Sequence, residues 1–423
     1  MYLSRIKQSS SVLLIAGMFA AASAAALSNH IPIQNIMENY SFNVLIILIS
    51  MELFTNLITE TGIMQVLSVR LAALSKGRKR LSLVFFGILM FLISSFLNNI
   101  TAVMMVLPVM FVLLKTIDVD ERYVSTFFAV ILALSNTGGA ASPVGDFPAI
   151  VIMTSGITSF LGYLTHAFPL FAVTSCVLIA YWGMRIQKER DDGNMRMLAI
   201  RCLRSQYKNI RVRSDVLRPL TVILVCMFLA WSFVPQETIP PEVIAVLGYA
   251  LSAAVCSLKG IKVRQSIDFK SVLTIAAFLF FAEVVSQTGI LTLMAEYLQG
   301  NIADTKILIL VIMVITSLIA GVFSAGPAAA AMMPVITEIC SGLPASQCDW
   351  IAVAYAAAIC SGSSLFMWSA TAGFILSDKV NHAKIKNERG ENSRWGISQY
   401  LKYGLQNYAI QLGIAVICIW LIL

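Results

Sequence analysis

Long apolar runs alternate with short polar loops along the whole chain, and that alternation predicts its elements. Stretches such as Pro219–Val234 and Ala409–Leu423 are apolar almost without a break. Barrel strands would instead alternate apolar and polar positions over about ten residues. Backbone in lipid is satisfied only inside helices or closed barrels, so these runs read as helices. Apolar length places them, and Lys and Arg orient them. A helix over 11–27 runs outward, and one over 42–68 returns to a basic loop with Arg70, Lys76, Arg78, Lys79 and Arg80. The segment 81–115 is interrupted by Asn98-Asn99 and fits a hairpin that enters from the cytoplasm and returns. A broken span over 123–153 contains Gly138-Gly139 and Pro143-Val144-Gly145-Asp146, and a helix over 160–184 leads back inside. Helices over 219–235 and 242–258 follow, then one over 271–298 that runs outward. A second hairpin, 306–341, is broken near Gly326-Pro327, and a second broken span, 350–377, contains Ser361-Gly362-Ser363-Ser364. A basic stretch and a helix over 403–423 end the chain.

The two halves match. Thr61-Gly62-Ile63 corresponds to Thr288-Gly289-Ile290 at a shift of 227, Pro108 to Pro334 at 226, and Gly139 to Gly362 at 223. Charge gives the matched segments opposite orientation. The expected fold is therefore all-α: a polytopic membrane protein of two inverted repeats, each with a re-entrant hairpin and a broken transmembrane helix. Inverted repeats with discontinuous helices mark secondary transporters with a midplane site. The expected divisions are 1–40 (first helix and outer loop), 41–184 (repeat 1), 185–267 (basic linker and two connecting helices), 268–377 (repeat 2) and 378–423 (cytoplasmic loop and last helix).

Composition agrees. Hydrophobic residues make up 58% of the chain and charged ones 12%, about half the usual share of a soluble domain. The net charge of +8 does not indicate nucleic acid, because the basic residues sit in loops between apolar runs. The loop 185–218 alone carries ten Lys/Arg against four Asp/Glu, as a solvated cytoplasmic connector would. Eight scattered cysteines without a Cys-x-x-Cys read as small buried hydrophobes, and three histidines near helix ends suggest neither a metal centre nor a catalytic residue. Arg5 and Lys7 before the first apolar run fit a secretory signal or a retained helix; the retained helix is favoured, with a cytoplasmic N-terminus unless that segment is cleaved. The expected location is a bacterial inner membrane.

Candidate chemistry lies at the breaks. A helix interrupted in lipid exposes backbone groups, which is tolerated only where they are buried in protein or line a wet cavity. Asn98, Asn99 and Thr101 offer neutral oxygens for a weakly held cation, while half-helix N-termini favour an anion. The Asn pair could equally satisfy only the turn. The run Asn136-Thr137-Gly138-Gly139 through Ser142 to Asp146 allows unwinding and close backbone approach. Asp146 at membrane depth would have to pair, bind a cation or carry a proton; near the outer surface it would be solvated. Ser324, Ser361, Gly362, Ser363 and Ser364 are the second-half counterparts. Asp146, then Glu283, Glu60 and Glu52, are the candidates for proton coupling, since a desolvated carboxyl holds its proton to higher pH.

These motifs resemble those of the ion transporter superfamily, which includes D-type sodium/proton antiporters, arsenite permeases and dicarboxylate/sodium symporters. Phe96-Leu97-Asn98-Asn99-Ile100-Thr101 is similar to its Leu-Asp-Asn-x-Thr hairpin tip. Gly138-Gly139-Ala140-Ala141-Ser142-Pro143-Val144-Gly145-Asp146 resembles the Gly-Gly-Ala-x-Ser-Pro-x-Gly-Asp of the D-type antiporters. Ser361-Gly362-Ser363-Ser364 resembles their second-half Gly-Gly-Ser, and Glu60-Thr61-Gly62-Ile63 the family's Glu-Thr-Gly-hydrophobic motif. The resemblance covers about 40–400. It departs at three places: the tip Asp is Asn98, the second tip is Ser324-Ala325-Gly326-Pro327, and Trp368 stands where Gly is common. A second-half cation site would thus have lost its side-chain amide and carboxylate. The resemblance implies a secondary transporter working by alternating access. Sodium/proton exchange is the first expectation, with sodium as the bound ion and no other cofactor. Coupled transport of a small anion (arsenite, citrate or another carboxylate) is the second, and a membrane enzyme or scaffold is the alternative of another class. The resemblance also implies a homodimer.

Overall fold

The computed structural model describes residues 19–117, 119–186, 207–261, 269–302, 304–387 and 390–422, with isolated positions at 17, 197, 198, 200–202, 205 and 267. The expected helix 11–27 is thus described only in part, and most of the linker's first half lies outside the described residues. All elements among the described residues are helices apart from one bridge between Lys386 and Asn392. In chain order they begin with α1 (Phe19–Ser28), α2 (Ile33–Asn39), α3 (Phe42–Glu60), α4 (Ile63–Leu74), α5 (Lys79–Ser94) and α6 (Asn99–Thr116). Then come α7 (Glu121–Ala140), α8 (Phe147–Thr154), α9 (Phe160–Arg185), α10 (Ser214–Phe233), α11 (Pro241–Leu258) and α12 (Phe269–Gln287). The last six are α13 (Ile290–Asn301), α14 (Thr305–Phe323), α15 (Ala325–Cys340), α16 (Ala345–Ser363), α17 (Gly373–Ala383) and α18 (Ile397–Ile422). Seven of the described helices are long and apolar enough to cross a membrane.

Both hairpins and both broken spans are present: α5–α6 and α14–α15, α7–α8 and α16–α17. The spans expected as single helices over 42–68 and 271–298 are each two. Thr61-Gly62 separates α3 from α4, and Thr288-Gly289 separates α12 from α13, with Gly62 and Gly289 at φ of 73° and 76°. Only glycine adopts that left-handed conformation without strain. In both bends the threonine hydroxyl donates back to the carbonyl three residues earlier, Ile58 or Val285, which closes the preceding turn. The bends differ in their surroundings. The linker packs on the first, with Arg213 N–H donating to the Thr61 carbonyl at 3.0 Å, while a side chain on Gly289 would meet open space.

Helix α9 serves as a ruler for the inversion. At its start, Thr158 Oγ1 donates to Asp349 Oδ1 at 2.5 Å and the His166 ring stands edge-on to Trp350, so α16 begins there. At its end, Arg185 donates to Gln406 Oε1 at 2.7 Å, and Tyr403, beside Trp182, donates to the Arg122 carbonyl, so α7 begins there. The two broken helices therefore run in opposite directions. Tyr123 Oη donates to the Lys79 carbonyl at 2.8 Å, which brings the first hairpin in from the α7 end. That end carries the basic loop with Lys76, Arg78, Lys79 and Arg80. The buried middle belongs to α7, 94% of whose apolar window is enclosed, against 22% for α10 and α18. Exposed Val222, Val225 and Leu229 of α10 suit lipid contact.

Candidate functional site

Helix α7 ends where two weak helix formers, Gly138 and Gly139, are followed by Pro143. Turns and bends occupy 141–146, and Asp146 starts α8 as its N-cap: the Phe147 N–H donates to Asp146 Oδ1 at 2.9 Å. Across the hairpin tip, Asn98 caps α6 by accepting from the Ile100 N–H at 3.0 Å. Capping does not exhaust the pair. Asn99, fully buried, donates through Nδ2 to Asp146 Oδ2 at 2.7 Å. Ser94 Oγ lies between Asn99 Oδ1 and the Ser135 carbonyl, 2.7 Å from the latter. Ser142 Oγ donates to the Ser95 carbonyl. Tip and break are thus one hydrogen-bonded unit, and Gly139 makes the approach possible. A β-carbon there would stand 2.5 Å from Asn99 Oδ1 and 2.9 Å from Asp146 Cβ.

Asp146 faces a narrow cleft with Glu52 and Thr55 of α3, Phe96, Asn98, Gly145 and Phe147. Its free volume is about 10 Å³, room for about one water. Two carboxyl groups, of Glu52 and Asp146, line it, and no Lys or Arg does among the described residues.

The second repeat repeats the geometry with different chemistry. Ser324 Oγ and the Ala325 N–H at the second tip donate to the Ser369 carbonyl, at 3.0 and 3.4 Å. Ser369 stands opposite Asp146 at the shift of 223, a correspondence the repeat numbering carried and no motif flagged. Where the first repeat pairs an amide with a carboxylate, the second pairs a hydroxyl with a backbone oxygen. Ser361, Ser363 and Ser364 turn their hydroxyls onto α16 carbonyls, of Ala357, Cys360 and Cys360 respectively. Gly362 packs against the Ser317 carbonyl, 2.1 Å from where its β-carbon would be.

The halves meet. Asn136 Nδ2 donates to Ser364 Oγ at 3.2 Å across the repeats, and Gly326 lies against the Phe147 ring. Other expected residues stand apart. Thr137 shares a hydrogen bond with Ser175 of α9, at 2.8 Å, and Thr101 lies beyond the tip on α6. Glu60 is exposed at the α3–α4 bend, and Glu283 accepts from Gln287 within α12 at 2.7 Å; neither lines the cleft. Of the four acids expected to couple protons, only Asp146 and Glu52 share one site.

Two tyrosines also belong to it. Tyr163 Oη donates to the carbonyl of Ala140 at the end of α7, and Tyr400 Oη to that of Ser364 at the end of α16, each at 2.8 Å. Each satisfies a carbonyl that the break would otherwise leave without a partner in the buried interior. Tyr163→Phe should therefore destabilise the protein by about 1–3 kcal/mol, the cost of an unsatisfied buried acceptor. Thermal unfolding in detergent checks this, and an unchanged midpoint would contradict it.

The citrate transporter (CitMHS) family profile matches residues 3–359. The chain belongs to the citrate transporter family. Among relatives, an uncharacterized transporter of Mycobacterium bovis is 23% identical over 392 residues, covering 90% of this chain and 86% of that protein. A 46 kDa membrane protein of Mycobacterium leprae is 23% identical and covers 90% of this chain and 89% of its own length. The human P protein matches over 184 residues at 24% identity, 41% of this chain and 22% of that protein. In fold, the chain is similar to the YdaH transporter of Alcanivorax borkumensis, described as having an unusual topology. The TM-score is 0.54 with 14% identity, covering 91% of this chain and 86% of the other. Membership of the citrate transporter family makes the chain a multi-pass membrane transporter, not an enzyme. It also fits the second of the two transport expectations, a small anion, better than sodium/proton exchange.

Proposed function

We propose that the protein carries a small polycarboxylate of the citrate class together with a cation, by alternating access about the Asn99–Asp146 junction. The observation that carries this reading is the cleft's charge. The buried Asp146 carboxylate, on a lining whose described residues include no Lys or Arg, disfavours a bare anion and favours a cation. A family whose substrate class is anionic and a cleft that is acidic are reconciled if the cation enters with the carboxylate.

The second half supplies the complementary polarity. Helix α15 begins at the tip without a side-chain cap, so its positive end is not neutralised by its own sequence. Ser324 lies beside it and Phe147 joins it to the acidic cleft. Cation at Asp146 and carboxylate at the second tip is the arrangement these charges favour. The α8 N-terminus offers no second anion seat, because the Asp146 carboxylate already caps it. A cleft with room for about one water admits no tricarboxylate, so loading requires the halves to part. The basic loops orient the protein with its Lys79–Arg185 end inward.

Proteoliposomes given labelled citrate should accumulate it when a cation gradient is imposed, with uptake rising as cation is added. A panel of sodium, magnesium and calcium identifies which one. Absence of citrate uptake under every cation, alongside sodium-driven proton movement reported by an internal pH dye, would replace this reading with sodium/proton exchange.

A further inference from the structure

Two of the eight cysteines are neighbours. Cys340 is the last residue of α15 and Cys348 lies in the first turns of α16, four residues past the turn that joins them. The Cys348 thiol points back to the end of α15, with Sγ 3.5 Å from the Cys340 carbonyl and 3.7 Å from that of Leu343. The Cys348 thiol thus lies against residue 340 itself. Both are buried, yet Ser341, Gly342 and Pro344–Ser346 beside them are exposed. The remaining cysteines have no such partner among the described contacts; Cys360, deeper in α16, is directed to Gln411.

The position on the membrane gives this pair its chemistry. The α15–α16 turn lies at the end of α9 marked by Thr158–Asp349, opposite the basic loops. Its residues 341–347 carry no Lys or Arg, as an outer loop would not. Thiols at an outward face meet an oxidising compartment.

We propose that Cys340 and Cys348 form an outer-face dithiol that oxidises reversibly to a disulfide, tying the second hairpin to the start of the second broken helix. The oxidant is an external disulfide. One thiolate attacks it and forms a mixed disulfide, releasing one thiolate; the second cysteine attacks that mixed disulfide and releases the other. Two electrons pass to the external disulfide, and the two cysteine protons go to the released thiolates or to water. Fraying of the exposed turn gives access to the buried sulfurs. This inference rests on the membrane orientation and not on the substrate.

The test uses the full chain in membranes, treated with oxidised glutathione, then denatured and alkylated with N-ethylmaleimide. Reduced protein should take eight labels, one on each cysteine. Oxidised protein should lack them at Cys340 and Cys348 alone and regain them after dithiothreitol. Cys348→Ser should leave Cys340 labelled before and after oxidation, and Cys360→Ser should leave the protected pair intact. Full labelling after oxidation, protection that involves Cys360, or a glutathione adduct on a single thiol would each overturn the proposal.

Discussion

Asp146→Asn should sharply weaken cation-dependent citrate uptake while leaving the protein folded. The replacement keeps an oxygen for the Phe147 N–H, and the Asn99 amide can turn to suit the new partner, so the junction of tip and break survives. What is removed is the charge. Interactions with a charged group contribute about 1.5–3 kcal/mol, so cation affinity should fall about ten- to a hundredfold. Uptake in proteoliposomes should then need about ten- to a hundredfold more cation to reach half its maximum than in the native protein. Elution from size exclusion should not change. Native-like uptake by this variant would remove Asp146 from the mechanism.

Gly139→Ala should lose both stability and transport. The added carbon would stand 2.5 Å from Asn99 Oδ1 and 2.9 Å from Asp146 Cβ, neither of them the free end of a flexible side chain. Overpacking of this kind costs about 1–3 kcal/mol and here also separates the two residues that form the site. Gly413→Ala, with no atom within 4 Å of the new carbon, should behave as native protein in the same thermal and uptake measurements. Equal behaviour of the two variants would mean that the close approach of tip to break is dispensable.

Much of this arrangement is legible in the sequence because breaks are written in residues with few other uses. Gly138-Gly139 with Pro143 mark the first break, Asn98-Asn99 mark a tip, and the basic loops give the inversion that α9 then displays in its contacts. The bends at Gly62 and Gly289 are less legible. Their Thr-Gly-Ile triplets identify the repeats, yet hydropathy registers nothing at a single left-handed glycine, so each pair of helices reads as one span. Glu283 and Glu60 are acids in or beside apolar runs, like Asp146. Sequence position does not reveal that one bonds to its own helix and the other lies exposed at a bend. Tyr163 and Tyr400 are ordinary aromatics in chain order. Only the fold carries them to carbonyls 23 and 36 residues away, where they stabilise the ends of the broken helices.

The asymmetry between the two tips has a functional reading. Each repeat brings a hairpin tip to a break, but only the first does so with an amide and a carboxylate. The second retains the geometry through Ser324, Ala325 and the Ser369 carbonyl. Two similar sites would suit two similar ions. One acidic and one neutral site suit a cation and a carboxylate that travel together.

Thermodynamic linkage tests that pairing most directly. If both ligands occupy adjoining half-sites in one state, each changes the affinity of the other by the same factor, and opposite charges make that factor favourable. Equilibrium binding of labelled citrate to the purified protein, with and without the cation, and of the cation with and without citrate, measures both factors. Equal factors greater than one are expected in the native protein, both lost in Asp146→Asn. Citrate binding that is indifferent to the cation in the native protein would contradict it.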